Sequence, residues 1–248
     1  MTERVFGIHA VEALLRNDPA RVLRLTVQSE RSDARIDAIV ALARAVQIPI
    51  ETQSRKQLDR ATHDARHQGV VAETQAAELA GEAEFELRFP TLPTPQLLLA
   101  LDGVTDPRNL GACLRSADAA GVGAVLLPKS RSAPLSEVAR KAASGAAESL
   151  FVVSVSNLVR RLEWLKQHDV WVVGASGDGA VAWNAVDLVR PTVLVLGGEG
   201  KGLRDLTRKT CDELVWIPMA GAVSSLNVSV ATGILLFEAV RQRGGRAG

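Results

Sequence analysis

The feature that most constrains this chain is a regular alternation of apolar runs and helical patterns from Leu97 to the C-terminus. The apolar runs lie at 97–102, 124–128, 151–155, 170–176, 192–198 and 214–218, and helical patterns lie at 108–120, 135–144, 158–167 and 227–243. Continuous apolar strands that alternate with helices predict an α/β fold, a parallel sheet with helices on both faces. Such sheets bind ligands beyond the carboxyl ends of their strands, so the segments that follow each strand are the candidate site.

The first 75 residues have a different texture and predict a small α/β domain of their own. Apolar residues at helical spacing predict one helix around Ile8 to Leu15 and another around Ile36 to Ala43. Short apolar or alternating runs predict strands at 22–27, 46–50 and 69–72.

Residues 76–96 separate the two regions. This stretch holds four glutamates against one arginine, and three prolines near its end. We interpret it as an acidic linker followed by a proline-stiffened entry into a second domain over 97–248.

Composition excludes several classes of protein. The apolar and charged fractions, 47% and 23%, are ordinary for a soluble globular protein. The net charge of +1 does not by itself indicate a nucleic-acid partner, and two cysteines do not make a disulfide framework. No secretory signal or apolar run of membrane-spanning length is present, which predicts a cytoplasmic protein without a membrane partner. The four histidines are scattered, so no metal site is predicted.

The loop and helix after the first strand of the second region carry polar groups on a helix start. Asp106 and Pro107 suit the cap and first position of a helix, and Asn109 falls in its first turn. Gly111 is a poor helix former, which suggests that something approaches the backbone closely. Arg115 lies four residues later, on the same face. A simple cap and a surface arginine paired with Asp118 remain the alternative.

The segment LGGEGKGL, at 196–203, is rich in glycine just after a buried strand. It does not fit a nucleoside-triphosphate loop, because Val195 and Gly202 stand where glycine and serine or threonine are needed. The dinucleotide fingerprint also fails, because Leu203 replaces its third glycine. A nicotinamide-dependent oxidoreductase is therefore disfavoured.

A third polar segment follows the last predicted strand. After Pro218 the chain is rich in small residues, and Ser224, Ser225 and Asn227 precede the long final helix. Ser225 or Asn227 is expected to cap that helix. The others exceed what one cap requires, and they can hydrogen-bond a ligand or another loop.

Together and in this order, the segments DPRNLGACLRSADAAG, LGGEGKGL and IPMAGAVSSLNVSVATG resemble the SPOUT methyltransferase superfamily, in its TrmH/SpoU-type branch of tRNA and rRNA ribose 2′-O-methyltransferases. VFGIHAVEALL and HQGVVA near the N-terminus resemble the substrate-binding domain of the bacterial enzymes that methylate a guanosine ribose in the peptidyl-site loop of 23S rRNA. The resemblance covers nearly the whole chain, the linker least well.

The resemblance implies a C-terminal trefoil knot, S-adenosylmethionine as methyl donor, no metal, and a homodimer. It implies that the small N-terminal domain binds RNA and that the partner is 23S rRNA or an assembling large ribosomal subunit. It assigns catalytic roles to Asn109, Arg115, Glu199, Ser225 and Asn227. It assigns cofactor contacts to Gly197, Gly198, Gly200, Ile217, Met219 and Leu226.

The function expected from this resemblance is S-adenosylmethionine-dependent 2′-O-methylation of a guanosine ribose in 23S rRNA. The alternatives are a tRNA ribose methyltransferase and a non-catalytic RNA-binding protein of the same fold. Because the chain is poor in aromatic residues for base stacking, we expect backbone contacts by a few N-terminal arginines to hold the RNA. The candidates are Arg16, Arg21, Arg24, Arg31, Arg35, Arg55, Arg60 and Arg66.

Overall fold

The computed structural model describes residues 2–29, 33–62, 64–75, 79–200 and 202–244. Arg31, His63, Lys201 and the start of the predicted linker, 76–78, lie outside the described residues. The chain divides into two compact units. The first comprises residues 1–78 and 144–149, and the second comprises 79–143 and 150–248.

The first unit is a four-stranded mixed sheet with helices. Its elements are β1 (Thr2–Phe6), α1 (Ile8–Asn17), β2 (Val22–Gln28), α2 (Ala34–Ala45), β3 (Ile50–Gln53), α3 (Arg55–Ala61) and β4 (Val70–Gln75). The strand order is β1-β4-β2-β3, with β4 antiparallel to both neighbours and β2 parallel to β3. Its core contains Leu14, Leu25 and Ile39, which are fully buried.

Two sequence predictions for this unit were wrong in detail. The strand placed at 46–50 begins only at Ile50, because Val46 ends α2 and Gln47 takes a left-handed φ of 59° in the turn that follows. The segment 144–149, assigned from sequence to the second domain, belongs to the first unit. It begins with left-handed Ser144 and Gly145, and a Cβ on Gly145 would lie 3.1 Å from the carbonyl oxygen of His9.

The second unit is a parallel α/β sheet. Its strands are β5 (Leu97–Asp102), β6 (Ala124–Pro128), β7 (Val152–Val155), β8 (Trp171–Ala175), β9 (Val181–Ala182), β10 (Thr192–Gly197) and β11 (Glu213–Trp216). Its helices are α4 (Glu82–Arg88), α5 (Pro107–Ala119), α6 (Glu137–Ala143), α8 (Leu158–Lys166), α9 (Asp205–Thr210) and α10 (Val228–Gln242), while α7 (Ala146–Ser149) lies in the first unit.

The described strands of this unit form a seven-stranded sheet in the order β7-β6-β5-β10-β8-β11-β9, and every pairing is parallel. The predicted α/β architecture is confirmed. The chain runs outward from β5 to β7, then crosses to the other half of the sheet, so that β5 and β10 become neighbours where the strand order changes direction. Open parallel sheets bind ligands at such a switch point. The trefoil knot stays a prediction.

The predicted linker is in part a folded element. Residues 82–88 form α4, and its Phe85 is fully buried among Phe89, Phe151 and Trp164. The acidic composition led to the linker prediction, but Glu82 of this helix stabilises the fold. It accepts hydrogen bonds from Ser156 and Arg161. None of the described helices is long and apolar enough to cross a membrane.

Candidate active site at the carboxyl edge of the sheet

The two central strands end side by side. Asp102 of β5 pairs in register with Gly197 of β10, and the amide of Gly198 donates to the carbonyl of Asp102 at 3.0 Å. A Cβ placed on Gly198 would lie 2.0 Å from the carbonyl oxygen of Gly103. Glycine is therefore required at 198, because the loops that leave the two strands touch through their backbones.

The loop that follows β10 folds back on itself. A Cβ on Gly197 would lie 1.9 Å from the carbonyl carbon of Gly202, and the amide of Gly202 donates to the carbonyl of Gly198 at 3.2 Å. Gly200 and Gly202 have φ values of 82° and 64°, in the left-handed region. The glycine-rich motif thus builds a tight turn, and Glu199 stands exposed on it.

An ion pair that sequence reasoning did not single out fastens this loop to β5. The buried carboxylate of Asp102 accepts from the backbone amide of Arg204 at 3.0 Å and from its Nε at 2.5 Å. A buried charge is stable only when it is paired and hydrogen-bonded, and Arg204 supplies both conditions. The available signal was a single carboxylate that closes the otherwise apolar run LLLALD.

Three predicted residues meet in a hydrogen-bonded network. The amide nitrogen of Asn109 donates to Glu199 Oε1 at 2.6 Å. The amide nitrogen of Asn227 donates to Asn109 Oδ1 at 3.0 Å. These residues come from the first turn of α5, the loop after β10 and the start of α10, so the fold joins side chains that are 90 and 118 residues apart. The amide of Asn109 is held at both ends.

Two helix caps place these asparagines. Asp106 caps α5 by accepting from the amide of Arg108 at 2.8 Å. Asn227 caps α10, since its Oδ1 accepts from the amide of Ser229 at 2.8 Å and from the hydroxyl of Ser229 at 2.6 Å. The expected cap is confirmed. Because Asn227 still donates to Asn109, it serves the helix and the network at once.

Arg115 and Ser225 lie outside this network. Both are exposed, and neither forms a hydrogen bond or ion pair with any other described residue, so the alternative pairing of Arg115 with Asp118 is absent from the described structure. Arg115 lies six residues beyond Asn109 on α5, about 9 Å along the helix axis. Its guanidinium is free for a ligand.

The structure identifies what lies close to Gly111. A Cβ there would lie 2.3 Å from the carbonyl oxygen of Ala139 and 2.6 Å from the Cβ of Ala142. The glycine lets α6 pack directly on α5. The close neighbour is a helix of the same chain, so the prediction that something approaches the backbone closely at this position is confirmed.

The residues predicted to contact the cofactor lie at the end of β10 and in the loop after it, and in the segment between β11 and α10. Ile217, Met219 and Leu226 are partly buried in the segment between β11 and α10. A Cβ on Gly200 or on Gly221 would meet nothing within 4 Å, so the backbone of both loops is open to a ligand at those points. Apolar side chains beside open backbone suit an adenosyl group, which needs an apolar surface and a few backbone hydrogen bonds.

Cys113 of α5 has a buried thiol. Burial raises the pKa of the Cys113 thiol to about 11, because the thiolate would lose its hydration, and the thiol lies 3.4 Å from the hydroxyl of Thr232. Nor do the described residues bring together a group of histidine, cysteine and carboxylate side chains able to hold a metal ion.

The fold is that of an α/β protein with a candidate ligand site at the switch point, where asparagine and carboxylate side chains form a network. Comparison with known proteins then gives the family. Residues 96–237 match the SpoU rRNA methylase family, and residues 4–80 match the RNA 2′-O ribose methyltransferase substrate-binding domain. The chain belongs to the SpoU methylase family.

Relatives match along nearly the whole chain. A 23S rRNA (guanosine-2′-O-)-methyltransferase RlmB from Pseudomonas aeruginosa is 53% identical, with 97% of each chain covered. The RlmB of Pectobacterium atrosepticum is 50% identical over 99% of this chain and 100% of the relative. Among solved structures, the SpoU methyltransferase AviRb from Streptomyces viridochromogenes, in complex with AdoMet, has a TM-score of 0.80 and 27% identity, covering 98% of this chain and 90% of that one.

Proposed function

We propose that this protein transfers a methyl group from S-adenosylmethionine to the ribose 2′-oxygen of a guanosine in 23S rRNA, in the peptidyl-site loop. The observation that carries the proposal is the network of Asn109, Glu199 and Asn227 at the switch point, with an unpaired Arg115 on the same helix. The named relatives, about half identical along both units, support 23S rRNA as the substrate.

The cofactor would be held between the loop 197–202 and the segment 217–226. Gly197, Gly198 and Gly200 would offer backbone groups, and Ile217, Met219 and Leu226 would offer apolar surface to the adenosyl group. When bound, S-adenosylmethionine supplies an activated methyl group on a sulfonium, which is already a good leaving group. The task left to the protein is to position the ribose and to help its hydroxyl lose a proton.

Arg115 would stabilise the reacting oxygen. A guanidinium stays protonated in proteins and is therefore a poor base, but its planar fork suits a phosphate and a developing alkoxide. Because the side chain is exposed and free of ion pairs with described residues, it can grip the phosphate beside the target ribose and place positive charge near the 2′-oxygen.

The network would orient the substrate. With its amide fixed between Glu199 and Asn227, Asn109 presents its remaining N–H in one direction only. One oxygen of Glu199 accepts from Asn109, which leaves the other to accept from the substrate. Ser225, exposed two residues before the helix cap, is placed to hydrogen-bond the RNA or the cofactor.

Asp102 and Arg204 act as positioning residues in this proposal. Neither touches the network, but their ion pair holds the loop that carries Glu199 against the end of β5. Replacing Asp102 with asparagine would leave Arg204 without its counter-charge and let Glu199 move away from Asn109.

We also propose that the enzyme is a cytoplasmic homodimer, with the first unit binding RNA. The support for a dimer is the exposed apolar surface of α10, where Val230 and Phe237 are each 50% exposed. Two exposed apolar residues on one helix are suited to a partner surface.

The test is transfer of a tritiated methyl group from S-adenosylmethionine to total RNA from a strain that lacks this protein, followed by nuclease mapping. Label in 23S rRNA at a guanosine is the expected result. Label confined to tRNA would overturn the assignment of 23S rRNA as the substrate. No label in RNA or in ribosomal precursor particles would overturn the proposal.

A further inference from the structure

A short basic segment follows β6, on the strand next to β5. Residues 129–133, KSRSA, leave the sheet at its carboxyl edge, because β5 and β6 run parallel and in register. The carbonyl oxygen of Arg131 lies 3.7 Å from where a Cβ on Gly103 would stand, and the amide of Ala133 donates to the carbonyl of Val104 at 2.8 Å. The segment therefore packs against the loop that leads to Asn109.

This segment is fastened at both ends. The amide of Lys129 donates to the carbonyl of Val155 at 2.8 Å, and Ala133 is bonded to Val104. Between these anchors Arg131 takes a left-handed φ of 62°. That conformation costs an arginine about 1–2 kcal/mol, so the fold imposes it against local preference.

Three cations stand exposed and unpaired at this place: Arg108 at the start of α5, Lys129 and Arg131. We call them the basic rim. Within the described ranges, none of their side chains forms a hydrogen bond or ion pair. The nearby carboxylates do not neutralise them, since Asp102 is paired with Arg204 and Asp106 is engaged in capping α5. Glu137, at the start of α6, is a further exposed acid of this region.

We propose that the basic rim binds consecutive phosphates of the RNA strand beside the target nucleotide. The inference rests on the proposed function, and it deepens that function by naming the surface that receives the backbone. Long cationic side chains that are exposed and lack partners bind phosphates with release of counterions. The contact to Gly103 places these charges beside the loop that leads to Asn109.

The test compares two double variants that each remove two exposed cations. Lys129→Gln with Arg131→Asn removes the charges of the rim, and asparagine is chosen because it tolerates a left-handed backbone. Lys209→Gln with Arg44→Gln removes two exposed cations elsewhere, on α9 and α2, that have no partner among the described residues. Lys129→Arg with Arg131→Lys preserves both charges.

Binding to in vitro transcribed 23S rRNA is measured by filter retention between about 50 and 200 mM salt. Loss of two phosphate contacts lowers the slope of log affinity against log salt by about 1.4, which is about a sevenfold change in relative affinity over that range. KM for RNA should rise while kcat at saturating RNA and cofactor affinity stay the same. The charge-preserving variant should keep the wild-type slope.

A slope in the rim variant equal to that of the wild type, or a loss no larger than in the control pair, would overturn the proposal. Binding is measured without cofactor, so this result stands apart from the methyl-transfer assay. If the wild type binds RNA but no methyl transfer is found in any RNA, the proposed function fails. The proposal for the basic rim is then still tested by the slope of log affinity against log salt. A thermal unfolding curve for each variant confirms that it is folded.

Discussion

Ion-paired arginines of the first unit contrast with a group of unpaired cations at the carboxyl edge of the second unit. In the first unit, Arg16, Arg21, Arg24 and Arg55 each lie within 4 Å of a carboxylate, on Glu12, Glu148, Glu51 with Glu73, and Asp59. At the carboxyl edge of the second unit, Arg115 and the basic rim have no such partner among the described residues. Paired cations tie the fold together, whereas unpaired ones at a loop edge are available to a polyanion.

This difference reduces the set of N-terminal arginines that are candidates for contacting RNA. Four of the eight N-terminal arginines proposed from sequence are neutralised by neighbours, and Arg31 lies outside the described residues. Arg35, Arg60 and Arg66 are exposed and remain candidates. A count of arginines cannot separate these groups, because pairing depends on carboxylates that are distant in sequence, such as Glu148 for Arg21.

The largest expected effect is at Arg115, the unpaired cation closest to the chemistry. Arg115→Ala should reduce methyl transfer by about 10³-fold, because a positioned charge on the reacting oxygen is lost. Cofactor affinity and thermal stability should stay close to wild type, since the side chain makes no described contact. Single-turnover transfer and calorimetric titration with S-adenosylmethionine measure the two effects. Wild-type turnover would remove Arg115 from the mechanism.

The next effect separates the network from ordinary helix capping. Asn227→Ala should lower kcat by about 10²-fold, because Asn109 loses one of the groups that fix its amide. Asn157→Ala is the matched control, since Asn157 caps α8 through the amide of Arg160 and lies outside the network. Both variants should lose about 1 kcal/mol of stability in urea unfolding. Equal activities would show that Asn227 is only a cap.

The ion pair between Arg161 and Glu82 in the second unit should stabilise the fold, as the ion pairs of the first unit do. Burial disfavours ionised Glu82, but hydrogen bonds from Ser156 and Arg161 outweigh it and lower the pKa of this carboxyl from 4.5 to about 2. The folded-state pKa is depressed, so the stabilisation is present above about pH 4.5 and is lost as the pH falls toward 2. Glu82→Gln should cost about 2 kcal/mol at pH 7.

Urea unfolding of wild type and Glu82→Gln between pH 7 and pH 3 measures this change. The difference in stability should narrow continuously below about pH 4.5, since the wild-type carboxylate becomes protonated. A difference that stays constant with pH would contradict the ion-pair account.

The smallest effect is expected in the first unit. Arg24 is ion-paired with Glu51 at 2.9 Å and with Glu73 at 2.5 Å on the surface of the sheet. Arg24→Gln should change stability little, because exposed ion pairs contribute little. RNA affinity and its salt dependence should not change. If Arg24→Gln lowered the slope of log RNA affinity against log salt, an ion-paired arginine would contact RNA. That result would contradict the contrast between paired and unpaired cations.

The parallel sheet was predictable because its strands are buried on both faces. The strands predicted at 97–102 and 124–128 have the same first and last residues in the structure. Continuous apolar sequence of this length is typical of a strand in a parallel sheet that is covered on both faces. Helix α4 was missed because Phe85 is the one fully buried side chain in an acidic stretch. The two-residue strand β9 carries too little sequence to register as a pattern.

At the candidate site, too, some features could be predicted from the sequence and others could not. The motifs identified Asn109, Glu199 and Asn227 but not the hydrogen bonds that join them, because those depend on where three loops meet. Asp102 with Arg204 was missed for the same reason, since the two residues are 102 positions apart. The close approach at Gly111 was predicted, but not that helix α6 makes it, because sequence does not identify the neighbour.

The most direct test of the central claim is the alkali stability of the methylated product. Methyl label from S-adenosylmethionine is introduced into 23S rRNA by the wild type and by Arg115→Ala, and the RNA is hydrolysed in alkali. A methyl group on the 2′-oxygen blocks its attack on the adjacent phosphate, so we predict label in alkali-stable dinucleotides with guanosine at the 5′ side, and none with Arg115→Ala. Label in mononucleotides would mean methylation of a base and would contradict the account.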